Sequence, residues 1–222
     1  MDRLLAEAEE LIAAAEAAGI RPALVGGLAV RAWVGSLGRR TNDVDLAVFE
    51  TADVERLGRV LAGRGYHVLD DPAWRRAVRG EGPHRILVDW TGPEVVDPGT
   101  LERYRLSGTW VSRRLESRMV PVIAAPDLLV LKLLGSRDQD IADLALLVDS
   151  DLEGCDPTAV ARRGVEGGAG DRVRAAAAKL RFAIHAGEAV EAATRVLGQP
   201  LAVDTVRRLA AFLDRLASGE DE

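Results

Sequence analysis

Apolar residues recur at helical spacing from the start of the chain. Leu4, Leu5, Ala8, Leu11, Ile12 and Ala15 make one stripe, which predicts a helix over residues 2–18 ended by Gly19. A short apolar run from Ala23 to Val25 reads as a strand, followed by a Gly26-Gly27 turn and a second helix over residues 28–36. The polar loop GRRTND then leads into another strand, Val44 to Phe49, with Asp43 and Asp45 at its start. A helix over residues 52–64 follows, with Thr51 as its N-cap and Gly65 as its stop. Strands are predicted at Tyr66–Leu69 and Arg85–Trp90; between them WRRAVRGEGPHR is basic and turn-rich, and residues 91–100 read as loop. Arg118–Ile123 is the last strand, where Pro121 points to a sheet edge or a strand end.

The second half changes period. Pro126 opens a helix at its first turn, and PDLLVLKLLG is apolar nearly all round, which predicts burial with Lys132 as its one basic residue. Over residues 138–148 Ile141, Leu144, Ala145 and Val148 form a packing stripe, while Asp140 and Asp143 share another face. After Asp151 the composition shifts, with GCDP and GVEGGAGD punctuating short helical pieces and helices predicted over 171–186, 188–197 and 203–217. The expected organisation is a folded domain over residues 1–150 and a C-terminal helical region over 151–222.

Charge and cysteine content narrow the function classes. With 29 basic and 35 acidic residues the net charge is −6, so the chain lacks the global positive field of a dedicated nucleic-acid binder. Two arginine clusters, Arg75, Arg76, Arg79 and Arg85 with His84, and Arg103, Arg105, Arg113, Arg114 and Arg118, read by default as solvated surface; one of them could receive an acidic acceptor such as RNA. The single Cys155 has no partner for an internal disulfide. No apolar run approaches a membrane span and no leader pattern is visible, so a soluble, cytoplasmic protein is expected.

The candidate chemistry gathers in residues 24–49. A strand feeding two glycines and a helix start lets backbone approach an anion, because glycine has no Cβ and the first helical N–H groups lack intrahelical partners. Asp43 and Asp45 alternate onto one face of their strand, with Cα atoms roughly 6.5 Å apart. Paired carboxylates beside a phosphate site suit Mg²⁺, a hard cation with oxygen ligands. Neither short motif is specific alone: Asp138/Asp140 and Asp149/Asp151 repeat the spacing in a helix start and a turn, and Gly167-Gly168 repeats the glycine pair. Asp89, late on an apolar strand, is the best third carboxylate, and Asp97 in PEVVDPG is the fallback. Lys132 needs an anion or water; its partner is either a helix-pair salt bridge to Asp140 or Asp143 or a polyphosphate.

As an ordered set, Gly26-Gly27, Arg39-x-Thr41-x-Asp43-x-Asp45, Asp89 and Lys132-x4-Arg137-x2-Asp140-x2-Asp143 resembles the AbiEii/MenT-like branch of the DNA polymerase β-type nucleotidyltransferase superfamily. The resemblance covers residues 20–148 and implies an α+β nucleotidyltransferase fold, a small mixed sheet flanked by helices. It implies Mg²⁺ or Mn²⁺ on Asp43, Asp45 and Asp89, with Gly26 and Gly27 cradling the triphosphate of an NTP and Lys132 neutralising it. Arg39, Thr41, Arg137, Asp140 and Asp143 would support nucleotide binding. Asp89 would complete the carboxylate set or assist deprotonation of an acceptor hydroxyl. The implied activity is transfer of an NMP to an acceptor, the tRNA 3′ end first, by a toxin with a cognate antitoxin protein. An antibiotic or a protein is the alternative acceptor, and a non-catalytic partner-binding module is the rival from another class. One departure is that many superfamily members carry Gly-Ser where this chain has Gly26-Gly27.

Overall fold

The structure is a computed structural model that describes residues 2–69, 75–97, 100–116, 118–150 and 156–219. Asp151, Cys155 and residues 220–222 lie outside the described residues, and with them the readings made there. The chain divides into two compact units, residues 1–35 with 40–123, and residues 36–39 with 124–222.

The first unit is built on a mixed sheet. Its strands are β1 (Pro22–Leu24), β2 (Asp43–Val48), β3 (His67–Leu69), β4 (Arg76–Arg79), β5 (Ile86–Thr91), β8 (Trp110–Leu115) and β9 (Arg118–Ile123), with β6 (Glu94–Val96) and β7 (Arg103–Arg105) forming a separate hairpin. The seven-stranded order is β3-β4-β5-β2-β1-β9-β8, parallel at β2/β5 and β1/β9 and antiparallel elsewhere. The mixed sheet flanked by helices expected from the resemblance is therefore present. Alternation sets its two faces: Val44, Leu46 and Val48 of β2, and Ile86, Val88 and Trp90 of β5, are buried together, while the intervening aspartates are half-buried.

Helices α1 (Asp2–Ala17) and α3 (Thr51–Gly63) pack on this sheet, and the Trp90 indole N–H donates to the Val54 carbonyl of α3 at 3.0 Å. Glu7, buried on α1, accepts from the Tyr66 hydroxyl at 2.8 Å and from Arg79, so the helix is tied to β4 by a satisfied charge. Helix α2 (Gly26–Val34) packs against β2, β8 and β9. Its Trp33 donates to the Ile123 carbonyl at 3.2 Å and lies under the Arg113 guanidinium, 3.8 Å from the ring centroid.

Several expectations need correction. The basic stretch after residue 75 contains strand β4, residues 91–100 contain β6, and the arginine-rich segment after residue 102 supplies β7 and β8. Strands β4, β6 and β7 are only three or four residues long, and β4, β7 and β8 are rich in arginine, so no apolar alternation announces them. Pro121 is not on an edge, because β8 covers β9; on the other side the ladder to β1 is the single pair Leu24↔Val122, so the proline stands where that ladder stops. Gly26 and Gly27 are the first residues of α2 rather than a turn before it. Thr51 is likewise the first helical residue of α3, preceded by Glu50 as N-cap, without a side-chain capping bond.

The second unit is helical: α4 (Ala125–Gly135), α5 (Asp138–Asp149), α6 (Pro157–Glu166), α7 (Gly170–His185), α8 (Glu188–Leu197) and α9 (Val203–Ser218). Leu128, Leu129, Val130 and Leu133 of α4 are fully buried, as its all-round apolar pattern requires. Asp127, buried on the same helix, accepts from Arg163 of α6 at 2.8 Å, which removes the cost of an isolated buried carboxylate. Helix α6 begins at Pro157 with Asp156 capping the N–H groups of Thr158 and Ala159.

Candidate active site

The parallel register of β2 and β5 sets Asp45 directly beside Asp89 and Asp43 beside Leu87. Because side chains alternate, Asp43, Asp45 and Asp89 emerge on one face, and one oxygen from each lies within 4.8 Å of the others. All three are half-buried. Asp43 accepts from the Thr41 hydroxyl at 3.2 Å. Asp89 accepts a two-pronged bond from Arg76, Nε to one oxygen at 2.7 Å and Nη2 to the other at 2.6 Å. That bond holds the Arg76 guanidinium above its ordinary range, against burial, with further help from Asp89, Asp43 and Asp45 as charges.

Gly26 explains how the start of α2 comes so near. Its φ of +62° belongs to the left-handed region, and a Cβ there would overlap the Asp45 carboxylate, with Cγ only 2.6 Å away. The Val25 N–H donates to the Asp45 carbonyl at 3.0 Å, and no side chain caps the helix at Val25. Helix start and carboxylate are thus held against each other by backbone. Three carboxylate oxygens on neighbouring strands form an all-oxygen donor set that fits a hard divalent cation such as Mg²⁺ or Mn²⁺. Among the described residues Asp43, Asp45 and Asp89 are the one such acidic group.

Asp97, the fallback third carboxylate, is elsewhere employed. Its Oδ1 accepts from the Thr100 N–H at 2.9 Å and its carbonyl from the Leu101 N–H at 2.8 Å, the work of a turn former.

Lys132 lies in the second unit, in a buried ion cluster. Its Nζ donates to Asp140 at 3.0 Å and is paired with Asp143 at 2.8 Å, the two partners that the salt-bridge reading offered. Arg39 completes Asp143 with a two-pronged bond at 2.8 and 2.6 Å, and Arg137 completes Asp140 with Nε at 2.7 Å and its own backbone N–H at 3.3 Å. Burial is the largest effect on Lys132 and lowers its pKa, yet Asp143 and Asp140 together outweigh it and leave the ammonium raised. Burial likewise pushes Asp140 up, and Lys132 and Arg137 more than reverse that, so its pKa falls below the ordinary value.

Of the residues named from sequence, the structure groups Asp43, Asp45, Asp89, Thr41 and Gly26 in the first unit, and Lys132, Arg39, Arg137, Asp140 and Asp143 in the second. Arg76 is one of a run of arginines whose sequence points only to solvated surface. The signal was its place directly opposite Asp89 in an antiparallel pair, and that is visible only once β4 is recognised as a strand.

No protein-family model matches the chain, and no curated protein is significantly similar to it. Among solved structures, an antigenic nucleotidyltransferase-like protein from Paracoccidioides brasiliensis aligns over 92% of this chain and 97% of its own, at 16% identity and a TM-score of 0.53. The lincosamide antibiotic adenylyltransferase LnuA aligns over 58% of this chain and 84% of its own, at 16% identity and a TM-score of 0.42. ANT(2″)-Ia, in complex with adenylyl-2″-tobramycin, aligns over 95% and 97%, at 15% identity and a TM-score of 0.43. The fold of this chain is that of the nucleotidyltransferase-like protein. Among the described residues no helix is long and apolar enough to cross a membrane.

Proposed function

We propose that the chain is a divalent-cation-dependent nucleotidyltransferase that moves an NMP from an NTP to an acceptor hydroxyl, with the tRNA 3′ end as acceptor and a toxin's role in a toxin–antitoxin pair. The observation that carries the activity is the meeting of Asp43, Asp45 and Asp89 on one face of a nucleotidyltransferase-fold sheet, beside a helix start that only glycine allows. The acceptor and the toxin role rest on the ordered motif set and its resemblance to the AbiEii/MenT-like branch.

In this reading the acceptor hydroxyl gives its proton to solvent water, its oxygen attacks the α-phosphorus, the bond from that phosphorus to the bridging oxygen breaks, and pyrophosphate leaves with that electron pair. A divalent cation, when bound, supplies charge stabilisation to the reacting phosphoryl group. Asp43, Asp45 and Asp89 would hold it. Asp89 serves as the third carboxylate rather than as the proton acceptor, because both of its oxygens already accept from Arg76. The uncapped start of α2 presents backbone N–H groups to phosphate oxygens, and Thr41 orients Asp43.

The test offers each α-labelled NTP with Mg²⁺ to bulk tRNA, to a protein fraction and to an antibiotic panel. Label on tRNA that is lost in Asp45→Asn supports the whole reading. Label on an antibiotic or a protein instead keeps the transferase and replaces the acceptor. No transfer to any acceptor, with wild type matching Asp45→Asn, would sink it.

A further inference from the structure

We propose that Arg76 is a built-in counter-cation of the Asp43, Asp45 and Asp89 cluster and competes with a divalent cation for it, so that Arg76 sets the metal affinity of the site. This rests on the carboxylate reading given above and goes beyond it by naming a residue that opposes loading.

The geometry is specific. Arg76 and Asp89 are register partners across the β4/β5 ladder, so the backbone itself brings them face to face. The guanidinium fork takes both Asp89 oxygens, at 2.7 and 2.6 Å. One of those oxygens belongs to the group that lies within 4.8 Å of its counterparts on Asp43 and Asp45. A cation held by Asp89 must therefore share a carboxylate that already carries a bidentate, charge-assisted bond, and must sit near a fixed positive charge. Arginine cannot relieve the conflict by losing its proton. Its long stem can: the Arg76 side chain is 28% exposed, more than Asp89 at 18%, so the head can swing to water while the carboxylate stays on its strand. Without a cation, the same charge offsets the mutual repulsion of the three carboxylates. Removing it would leave them crowded and hungrier for a divalent ion.

The experiment measures Mn²⁺ binding by electron paramagnetic resonance on the full chain after chelation, for wild type, Arg76→Gln, Arg76→Lys and Asp45→Asn, with thermal melting in EDTA and in Mn²⁺ alongside. Arg76→Gln is expected to bind Mn²⁺ at least tenfold more tightly than wild type, with Arg76→Lys a few-fold tighter because it keeps the charge and loses the fork. Arg76→Gln should also melt lower than wild type in EDTA and gain more on adding Mn²⁺. A purely structural role for Arg76 would weaken binding or leave it unchanged, and either result overturns the proposal. If Arg76→Gln does not fold, Arg76→Lys decides: tighter binding supports competition, and unchanged or weaker binding overturns it. Wild type that binds Mn²⁺ while Asp45→Asn does not, with Arg76→Gln matching wild type, defeats the Arg76 proposal alone. If neither wild type nor Arg76→Gln binds Mn²⁺, or if Asp45→Asn binds as well as wild type, the carboxylate reading falls and takes this proposal with it.

Discussion

The carboxylates of β2 and β5 and those of α5 differ first in what surrounds them. Asp140 and Asp143 are almost wholly buried and met by Lys132, Arg39 and Arg137, three cations against two carboxylates, all with short bonds. Asp43, Asp45 and Asp89 are half-buried, crowd one another, and gather around a helix start and one arginine fork. A buried cluster of the first kind is costly to break, because removing one partner strands another in low dielectric. A half-open cluster of like charges gains little from its own members, so its members are explained better by what they could bind than by the stability they give.

The sharpest test of that difference is a crossed pair of substitutions. Asp45→Asn is expected to lower nucleotidyl transfer by about 10³-fold, about 4 kcal/mol of barrier, while moving folding stability by less than about 1 kcal/mol. Asp143→Ala is expected to cost about 3–5 kcal/mol of stability, because Lys132 and Arg39 lose a shared buried carboxylate. Urea unfolding and label transfer, measured on both, would break the comparison if the two variants behaved alike. A smaller effect is expected from Gly26→Ala, about 1–3 kcal/mol in urea from the left-handed backbone and the overlap with Asp45, together with loss of transfer.

The gentlest probe is acid. Asp140 has its folded pKa below the ordinary 3.8, so its contribution to stability is fully present above that value and is lost as pH falls below it. Lys132 is raised above 10.5, so its share is present below that value and lost as pH rises past it. Between the two the pair's contribution is flat. The unfolding free energy of the wild type from urea titration should decline below pH 3.8, by up to about 1.4 kcal/mol per pH unit for each proton taken up. In Asp140→Asn that part of the slope should be missing.

Much of this was legible in the chain. The strands β2, β5 and β9 show apolar runs or alternation, helices α1 and α5 show periodic stripes and α4 is apolar nearly all round, so these elements and the shared face of Asp43 and Asp45 follow from period alone, whereas Asp89 joins them through the β2/β5 register, which no period shows. Strands β4, β7 and β8 were not legible, because RAVR, RYR and WVSRRL carry arginines where an apolar alternation would mark a strand, and their extended form comes from pairing with β3 and β5, with β6 and with β9. Arg113 shows why counting arginines as surface misleads: its guanidinium caps Trp33, and it is sheet pairing that carries it there. The fate of Lys132 was ambiguous for a different reason. An ammonium within an apolar helix demands an anion, and sequence can name the candidates without saying which one arrives.

Strand β2 is the middle strand of the seven, paired on one side with β1 over three residues and on the other with β5 over five. Backbone amides so enclosed exchange with solvent only through rare, large-scale opening, whereas the rim strands β3 and β8 open locally at much lower cost. The segment bearing Asp43 and Asp45 is thus expected among the most slowly exchanging parts of the sheet, a fixed anvil against which any conformational search must be made by side chains and by whatever the protein binds.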